Sequence, residues 1–367
     1  MAAFDSSESE SLLQALRAAN MRGQWENEAH RTASDRDVEK GVFGPKPGGV
    51  PHVWPWATVK PFLERSCKAI PETFTSRRSL MFNNPGLPRG TTTSINMGIQ
   101  MILPGELAWA HRHSISALRF VISAGPSLST VVSGVPLPMS NYDLVLTPAW
   151  EWHDHHNAGD QPGVWLDVLD GPIMNSLNQV FFENFGPDRQ PLANSDTDVL
   201  SSLHPPENLL ETERIFSETT KIYPWRETEK RLQALSEKPA SPYDGVVYEY
   251  VDPVSQRSVL PSLSCWAQLL RPGEKTQAHR HTSSSVYFVV RGNGRTIVDD
   301  VELTWGPNDC FVVPNWAWHE HRNVSSDQDA VLFSVNDIPL LAFLGLYREE
   351  PDISIRELPS HQTRRKG

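Results

Sequence analysis

The sequence predicts a mainly β protein made of two small barrels in tandem, with helices flanking and linking them. Prolines (30) and glycines (22) punctuate short runs rich in Val, Ile, Leu, Phe and Trp, the pattern of many short strands joined by turns. At 367 residues, 39% of them hydrophobic, the chain exceeds one typical domain and has enough apolar side chains for two cores. One block of sequence also occurs twice. QMILPGELAWAHRHSISALRFVISAG starts at Gln100 and its block ends in TPAWEWHDHHN at Asn157; QLLRPGEKTQAHRHTSSSVYFVVRGNG starts at Gln268 and its block ends in VPNWAWHEHRN at Asn323. A constant offset relates His111 to His279 and His113 to His281, so one fold unit has been duplicated.

Three stretches depart from the β pattern: the polar opening from 8 to about 36, residues 172–185, and 207–238, which carries apolar residues near helical spacing. They are expected to be helices. The polar run 186–206, with Pro, Asn, Asp and Ser throughout, reads as a connector. The expected organisation is a helical or extended arm (1–60), a first barrel (61–185), a linker with a helix (186–245), a second barrel (246–350) and a polar tail (351–367).

Charge and cysteine content narrow the function. Asp+Glu 44 against Lys+Arg 33 gives a net charge of -11, which opposes attraction to nucleic acid or anionic membranes. Cys67, Cys265 and Cys310 are widely spaced and odd in number, suggesting neither a disulfide framework nor a zinc ribbon. The opening residues lack a basic region followed by an apolar stretch, and no segment approaches a membrane span. A cytoplasmic, unexported protein is the expectation.

Each block joins a Pro-Gly turn to an H-x-H strand and closes on P-x-W-x-W-H-x-x-x-N. These motifs resemble those of the cupin superfamily. Gly105, His111 and His113, and again Gly273, His279 and His281, match its first motif. Pro148, His153 and Asn157, and again Pro314, His319 and Asn323, match its second, with Trp150 and Trp316 where a glycine is usual. The resemblance implies a bicupin of two double-stranded β-helix (jelly-roll) barrels.

Side chains alternate along a strand, so His111 and His113 share a face. If that face lines a small barrel, His153 from a neighbouring strand completes three imidazole ligands and leaves positions open for substrate and oxygen. A lone buried histidine is more often a hydrogen-bonded core residue; three at this spacing, inside matched turn and strand signals, point to a metal. Metal-binding cupins usually add a glutamate after the H-x-H. Here Ala117 and Leu118, and Ser285 and Val286, stand in its place, so neither motif supplies a carboxylate. The bound ion would then keep its full positive charge for an anionic substrate.

The two blocks differ where a substrate would sit. Arg119 corresponds to Tyr287, Gly98 to Trp266, and Asp167 to Ser334. By alternation Arg119 faces the first barrel's interior, where a planar guanidinium suits a carboxylate; the plainer reading is a structural ion pair with an acid from elsewhere. A glycine inside a strand often marks close approach of a ligand, so the first barrel is expected to be open and the second filled. Asp167 is placed to orient a histidine or the arginine. The trio His279, His281 and His319 is a candidate second, non-catalytic metal site.

Taken together, NPGLP, QMILPGELAWAHRHS, ALRF, LTPAWEWHDHHN and WLDVLD resemble gentisate 1,2-dioxygenases and the related salicylate and 1-hydroxy-2-naphthoate dioxygenases. That resemblance implies Fe(II) on His111, His113 and His153, chelated by an aromatic carboxylic acid that reacts with O2 in an extradiol-type ring cleavage. Gentisate giving maleylpyruvate is the first expectation, salicylate or 1-hydroxy-2-naphthoate the alternative. It further implies Arg119 and one of Arg77 and Arg78 as carboxylate clamps, Gln100, His155 and Asp167 as lining or supporting groups, and a homotetramer. His155 would be an acid/base on the substrate hydroxyl, or a packing residue, since His321 holds the matching place. Asn96, where the family usually has an aromatic residue, and Trp109, where proline is common, would change the ring contacts. Competing classes are O2-independent isomerisation or C–C hydrolysis with another metal, and a non-catalytic small-molecule-binding bicupin.

Overall fold

A computed structural model describes residues 6–21, 44–71, 78–192 and 221–350. The expected tail, most of the connector and much of the arm lie outside these residues. The chain divides into two compact units, 1–46 and 47–367. The first holds helix α1 (Ser6–Ala18); everything below concerns the second. Among the described residues no helix is long and apolar enough to cross a membrane.

The duplicated blocks fold alike. In the first, strands β3 (Asn96–Ile102), β5 (Ala117–Ser123), β8 (Leu144–Thr147) and β10 (Gly163–Leu169) form an antiparallel sheet in the order β8-β5-β10-β3. In the second, β14 (Ser264–Leu270), β16 (Ser285–Arg291), β19 (Cys310–Val313) and β21 (Ala330–Asn336) repeat it as β19-β16-β21-β14. A smaller sheet accompanies each. Strand β4 (Leu107–His113) pairs with β9 (His153–Asn157) in the first block, while β17 (Gly294–Val298) pairs with β20 (His319–Asn323) in the second. Pro-Gly turns precede the H-x-H segments, with Gly105 at φ 81° and Gly273 at φ 68°, values an L side chain rarely adopts. The motif asparagines tie those turns down: Asn157 Nδ2 donates to Ile102 O (3.2 Å), and Asn323 Nδ2 to Leu270 O (3.0 Å).

Sheet membership does not follow the boundaries expected from sequence. Strand β1 (His52–Trp54), from the arm, pairs with β19 of the second barrel, and β12 (Ile222–Tyr223), from the linker, pairs with β8 of the first. Helix α2 (Trp56–Ala69) spans the expected boundary at 60. The stretch 172–185 is helical only in α3 (Gly171–Ser176); it then forms strand β11 (Phe182–Asn184) on the edge of β4. From 207–238 the described part contributes β12 and helix α4 (Trp225–Ser236).

Alternation gives each large sheet two apolar faces. Outward from both barrels, Leu118, Phe120, Ile122, Val286, Phe288 and Phe333 merge into one core, where Phe120 stacks on Phe333 with centroids 4.0 Å apart. Burying each such ring is worth about 1.5–3 kcal/mol, so the barrels are welded through these faces. Inside, Val121, Val145 and Trp165 pack the first barrel, and Val289, Phe311 and Leu332 the second.

Two carboxyls cross the weld in mirror fashion. Asp170, which precedes α3, accepts Ser116 N–H (2.8 Å) from its own barrel and Ser262 Oγ–H (2.5 Å) from the other. Asp337, which precedes helix α5 (Ile338–Phe343), accepts Ser284 N–H (2.9 Å) and Ser94 Oγ–H (2.5 Å). Neither caps its own helix with its side chain. Burial raises both carboxyls to about 6, against hydrogen bonds that pull them down. Because the folded value lies above the unfolded one near 3.8, the folded chain binds these protons more tightly. Their contribution to stability is complete below about pH 4 and is lost as pH rises through about 6. Asp170→Asn with Asp337→Asn is therefore expected to flatten the fall in Tm between about pH 4 and about pH 7, measured by thermal melts across that range. A decline as steep as in the parent chain would refute the assignment.

Candidate active site

His111 and His113 on β4 and His153 on β9 converge inside the first barrel. All three are buried, and their ligand atoms lie within 4.8 Å of one another. Ring centroids are 4.3 Å apart for His111–His153, 4.9 Å for His113–His153 and 5.6 Å for His111–His113. One rule orients all three rings. His111 Nδ1 bonds Trp109 O (2.6 Å), His113 Nδ1 bonds Ile115 O (2.6 Å), and His153 Nδ1 bonds Glu151 O (2.9 Å). A carbonyl only accepts, so each Nδ1 carries the proton and each Nε2 presents a lone pair inward.

The residues fit a cation. His153 Nε2 is buried with no hydrogen-bond partner, a situation that costs roughly 1–3 kcal/mol unless something meets the lone pair. Burial holds His153 well below its ordinary pKa, and His111, His113 and Arg119 push it the same way; the ring is neutral, the form that ligates metals.

The turn before His153 is strained. Trp150, at the place where cupins usually have glycine, sits at φ 68°, and Trp316 at φ 60°; such conformations cost about 1–3 kcal/mol and persist only where surroundings impose them. Trp150 N–H donates to His113 O (2.7 Å), tying the turn to the H-x-H strand. Arg112, between the two ligands, lies over Trp152 at 4.6 Å and Trp150 at 5.9 Å. Arg280 repeats this over Trp316 (4.3 Å) and Trp318 (5.0 Å). The two H-R-H and W-x-W segments thus form one assembly on the wall of each barrel.

Opposite the trio, the large sheet places Arg119 inside, directly across from Asp167 in the β5–β10 register. Arg119 Nε lies 3.4 Å from Asp167 Oδ1, and its Nη1 donates to Thr147 Oγ1 (2.6 Å). Asp167 also accepts Trp165 Nε1–H (3.0 Å) and Ser79 Oγ–H (3.0 Å). The acid anticipated as a structural partner for Arg119 is therefore Asp167 itself, and the pair stands beside the trio. Gln100 is buried next to this network, 3.5 Å from Ser79 Oγ. His155 is buried on the trio's strand, hydrogen-bonded through Nδ1 to Thr130 Oγ1 (2.7 Å), with its ring 5.8 Å from His153. His321 makes the matching bond to Thr296 (2.9 Å).

Several expected residues sit elsewhere. Arg78 is not positioned as a carboxylate clamp: it is buried in an ion pair with Glu106 and reaches the carbonyls of Cys67 and Ile70 (3.4 Å each). Arg77 lies outside the described residues. Trp109 does not follow the alternation. Ala108 faces His155 and His111 faces His153, so β4 carries one extra residue between them, and that bulge takes Trp109 off the ligand face. Its carbonyl, not its ring, serves the site. Gly98 is required by the neighbouring strand β2 (Ser79–Met81): a Cβ there would lie 2.7 Å from Leu80 O and from Met81 Sδ. Asn96 sits at the end of β3, its amide between Gly90 and Gly171. Sequence reasoning missed Phe182, whose ring stacks on His111 at 5.2 Å. Its strand character was hidden by assigning 172–185 to a helix.

The second barrel is not filled. His279, His281 and His319 converge as the first trio does, and a cavity of about 50 Å³ remains beside them, reached by Asp244, Trp266, Tyr287 and Glu349. Carboxylates that neither motif supplies thus enter this barrel from outside the repeat.

The cupin-domain family profile matches residues 98–169 and 266–336; the protein is a bicupin. It is 37% identical over 347 residues to 1-hydroxy-2-naphthoate 1,2-dioxygenase of Nocardioides sp. (strain KP7), covering 93% of this chain and 87% of the relative. It is 41% identical over 341 residues to 5-aminosalicylate 1,2-dioxygenase of Comamonas sp., covering 90% and 87%. The crystal structure of salicylate 1,2-dioxygenase from Pseudaminobacter salicylatoxidans superposes with a TM-score of 0.77 at 29% identity, covering 95% of this chain and 99% of the other. The chain belongs to the gentisate/salicylate 1,2-dioxygenase family. It is a non-haem Fe(II) enzyme that uses O2 to cleave the ring of a hydroxylated aromatic acid.

Replacing His153 by Ala should remove one equivalent of iron per chain, read by metal analysis after anaerobic loading. Retention of the full iron complement would show that the trio is not the site.

Proposed function

We propose that the substrate is an aromatic acid with a hydroxyl ortho to its carboxylate, of the salicylate or 1-hydroxy-2-naphthoate type, and that gentisate is not the preferred one. The two relatives named above act, by their names, on 1-hydroxy-2-naphthoate and 5-aminosalicylate; neither bears the second ring hydroxyl of gentisate. What carries the reading is the convergence in one barrel of three inward Nε2 atoms and a buried guanidinium. Fe(II), when bound, supplies adjacent positions where the chelating acid and O2 meet, so that a bimolecular encounter becomes effectively intramolecular.

In this reading the protein's own groups hold the acid. Arg119 receives the substrate carboxylate, with Asp167 and Thr147 keeping its guanidinium from rotating. Asp167 is in turn fixed by Trp165 and Ser79, a positioning role. His155 takes the proton of the substrate hydroxyl at its Nε2, since Thr130 engages Nδ1. Gln100, buried beside Ser79, borders the ring. Cleavage between the carboxyl-bearing and hydroxyl-bearing carbons, with both oxygen atoms retained, gives a ring-opened oxo acid. A cytoplasmic homo-oligomer, a tetramer by family resemblance, belongs to the same reading; the exposed run Leu177, Val180, Phe181 and Phe182 gives a second copy a surface to cover.

Two measurements test this. Iron-loaded protein given salicylate, 5-aminosalicylate, 1-hydroxy-2-naphthoate or gentisate should consume O2 and shift its ultraviolet absorbance with at least one of the first three at higher kcat/KM than with gentisate. The reverse order would restore gentisate. Arg119→Gln should weaken binding of the preferred acid by about 10- to 150-fold, the worth of a hydrogen bond to a charged group at roughly 1.5–3 kcal/mol, while iron content stays unchanged. Unaltered affinity would remove Arg119 from the carboxylate role.

A further inference from the structure

The second barrel departs from the first in how one histidine is held. His281 Nδ1 bonds Ser283 O (2.8 Å) and His319 Nδ1 bonds Ala317 O (3.1 Å), as in the first trio. His279 Nδ1 has no such carbonyl: it is buried without a hydrogen-bond partner and faces Glu349 Oε1 at 3.9 Å. On the other side of the ring, His279 Nε2 lies 2.8 Å from His319 Nε2 and 3.9 Å from Asp244 Oδ1. Because His319 Nδ1 carries its own proton, His319 Nε2 is bare, and His279 must place its proton between the two Nε2 atoms.

We propose that the second barrel binds its own divalent metal ion through Nε2 of His279, His281 and His319 together with a carboxylate oxygen of Asp244, and that Glu349 orients His279 by accepting a proton bond from its Nδ1. Ligands each about 2.0–2.2 Å from one ion lie roughly 2.8–4.4 Å apart, a range that contains the His279–His319 separation and the 3.9 Å from His279 Nε2 to Asp244 Oδ1. Asp244 stands outside the set of atoms within 4.8 Å of one another, so its carboxylate closes on the ion as the ion binds. An arriving cation displaces the His279 proton from Nε2; the proton moves to Nδ1, and no net charge is lost from the ring. There it meets Glu349, whose other oxygen already accepts Tyr347 O–H (2.9 Å). This imidazole–carboxylate relay raises the basicity of a metal-bound histidine.

Both carboxylates arrive from outside the duplicated blocks. Asp244 stands just before strand β13 (Val246–Tyr250), its Oδ2 held by Ser241 Oγ–H (3.0 Å). Glu349 lies on strand β22 (Glu349–Glu350), directly opposite His281 of β15 (Arg280–His281). The carboxylate missing from the repeat at Ser285 is thus restored from a distant segment, and among the described residues in this barrel alone. The donor set, three imidazoles and one carboxylate, suits Fe, Co, Ni or Zn. At about 50 Å³ the cavity is far smaller than the roughly 150 Å³ that accommodates benzene, so water, not an aromatic acid, completes the coordination. The ion clasps the segments around 244 and 349 onto the barrel.

The test titrates full-length, chelator-stripped protein with Co(II), followed by calorimetry and visible absorption, with metal analysis after desalting; turnover plays no part, so the outcome is independent of the substrate reading. Two equivalents are expected for the parent chain and one for His111→Ala/His153→Ala. On that background Asp244→Asn should weaken the remaining site by about tenfold or more and Glu349→Gln by about 10- to 100-fold. His279→Ala/His281→Ala in the otherwise intact chain should leave one equivalent, which keeps the test decisive if the first double variant does not fold. A single equivalent in the parent chain, or two in His279→Ala/His281→Ala, overturns the site. Unchanged affinity on Asp244→Asn overturns the carboxylate ligand, and unchanged affinity on Glu349→Gln overturns the relay.

Discussion

Each imidazole of the leading trio commits one nitrogen to a main-chain carbonyl two residues away along the chain, and that commitment decides where the other nitrogen points. The carbonyls belong to strands and turns whose own geometry is set by pairing between β4 and β9, by the bulge between Ala108 and His111, and by the left-handed turn at Trp150. Ligand direction is therefore a property of the backbone. A side chain elsewhere in the barrel can change without turning the rings, which leaves the opposite wall free to set the chemistry.

That wall is where the two copies of the repeat have parted. The register that faces Arg119 with Asp167 faces Tyr287 with Ser334 in the second barrel, so an ion pair has been exchanged for an aromatic packed on Phe311 at 4.5 Å. The first barrel keeps a guanidinium within the electrostatic reach of His153 and an uncharged ligand set. The second gathers acids around its trio, beside a cavity of about 50 Å³. One scaffold thus carries a trio faced by a guanidinium in one barrel and a trio faced by carboxylates in the other.

Much of this was legible in the chain. The repeat, the Pro-Gly turns and the histidine spacing gave the two-barrel architecture, and the cupin and dioxygenase comparisons agree with it. Strand exchange was not legible, because β1 and β12 are two or three residues long and carry no alternation of their own. The bulge that removes Trp109 from the ligand face depends on pairing with a strand about forty residues on, which no local pattern records. Arg78 looked like a clamp because an arginine's partner is invisible until Glu106 is seen against it. Asp244 and Glu349 escaped notice for a similar reason: position-by-position comparison of the blocks considers only residues inside them.

The mirrored contacts of Asp170 with Ser262 and Asp337 with Ser94 bear on how such a chain can evolve. After duplication, each copy came to depend on a hydroxyl that only its sibling provides, and each turned an aromatic face, Phe120 or Phe333, toward the other. Neither half could now be released as a free-standing gene product without exposing that face and orphaning its acid. The copies have become partners in a single folding unit, each completing the other's buried contacts.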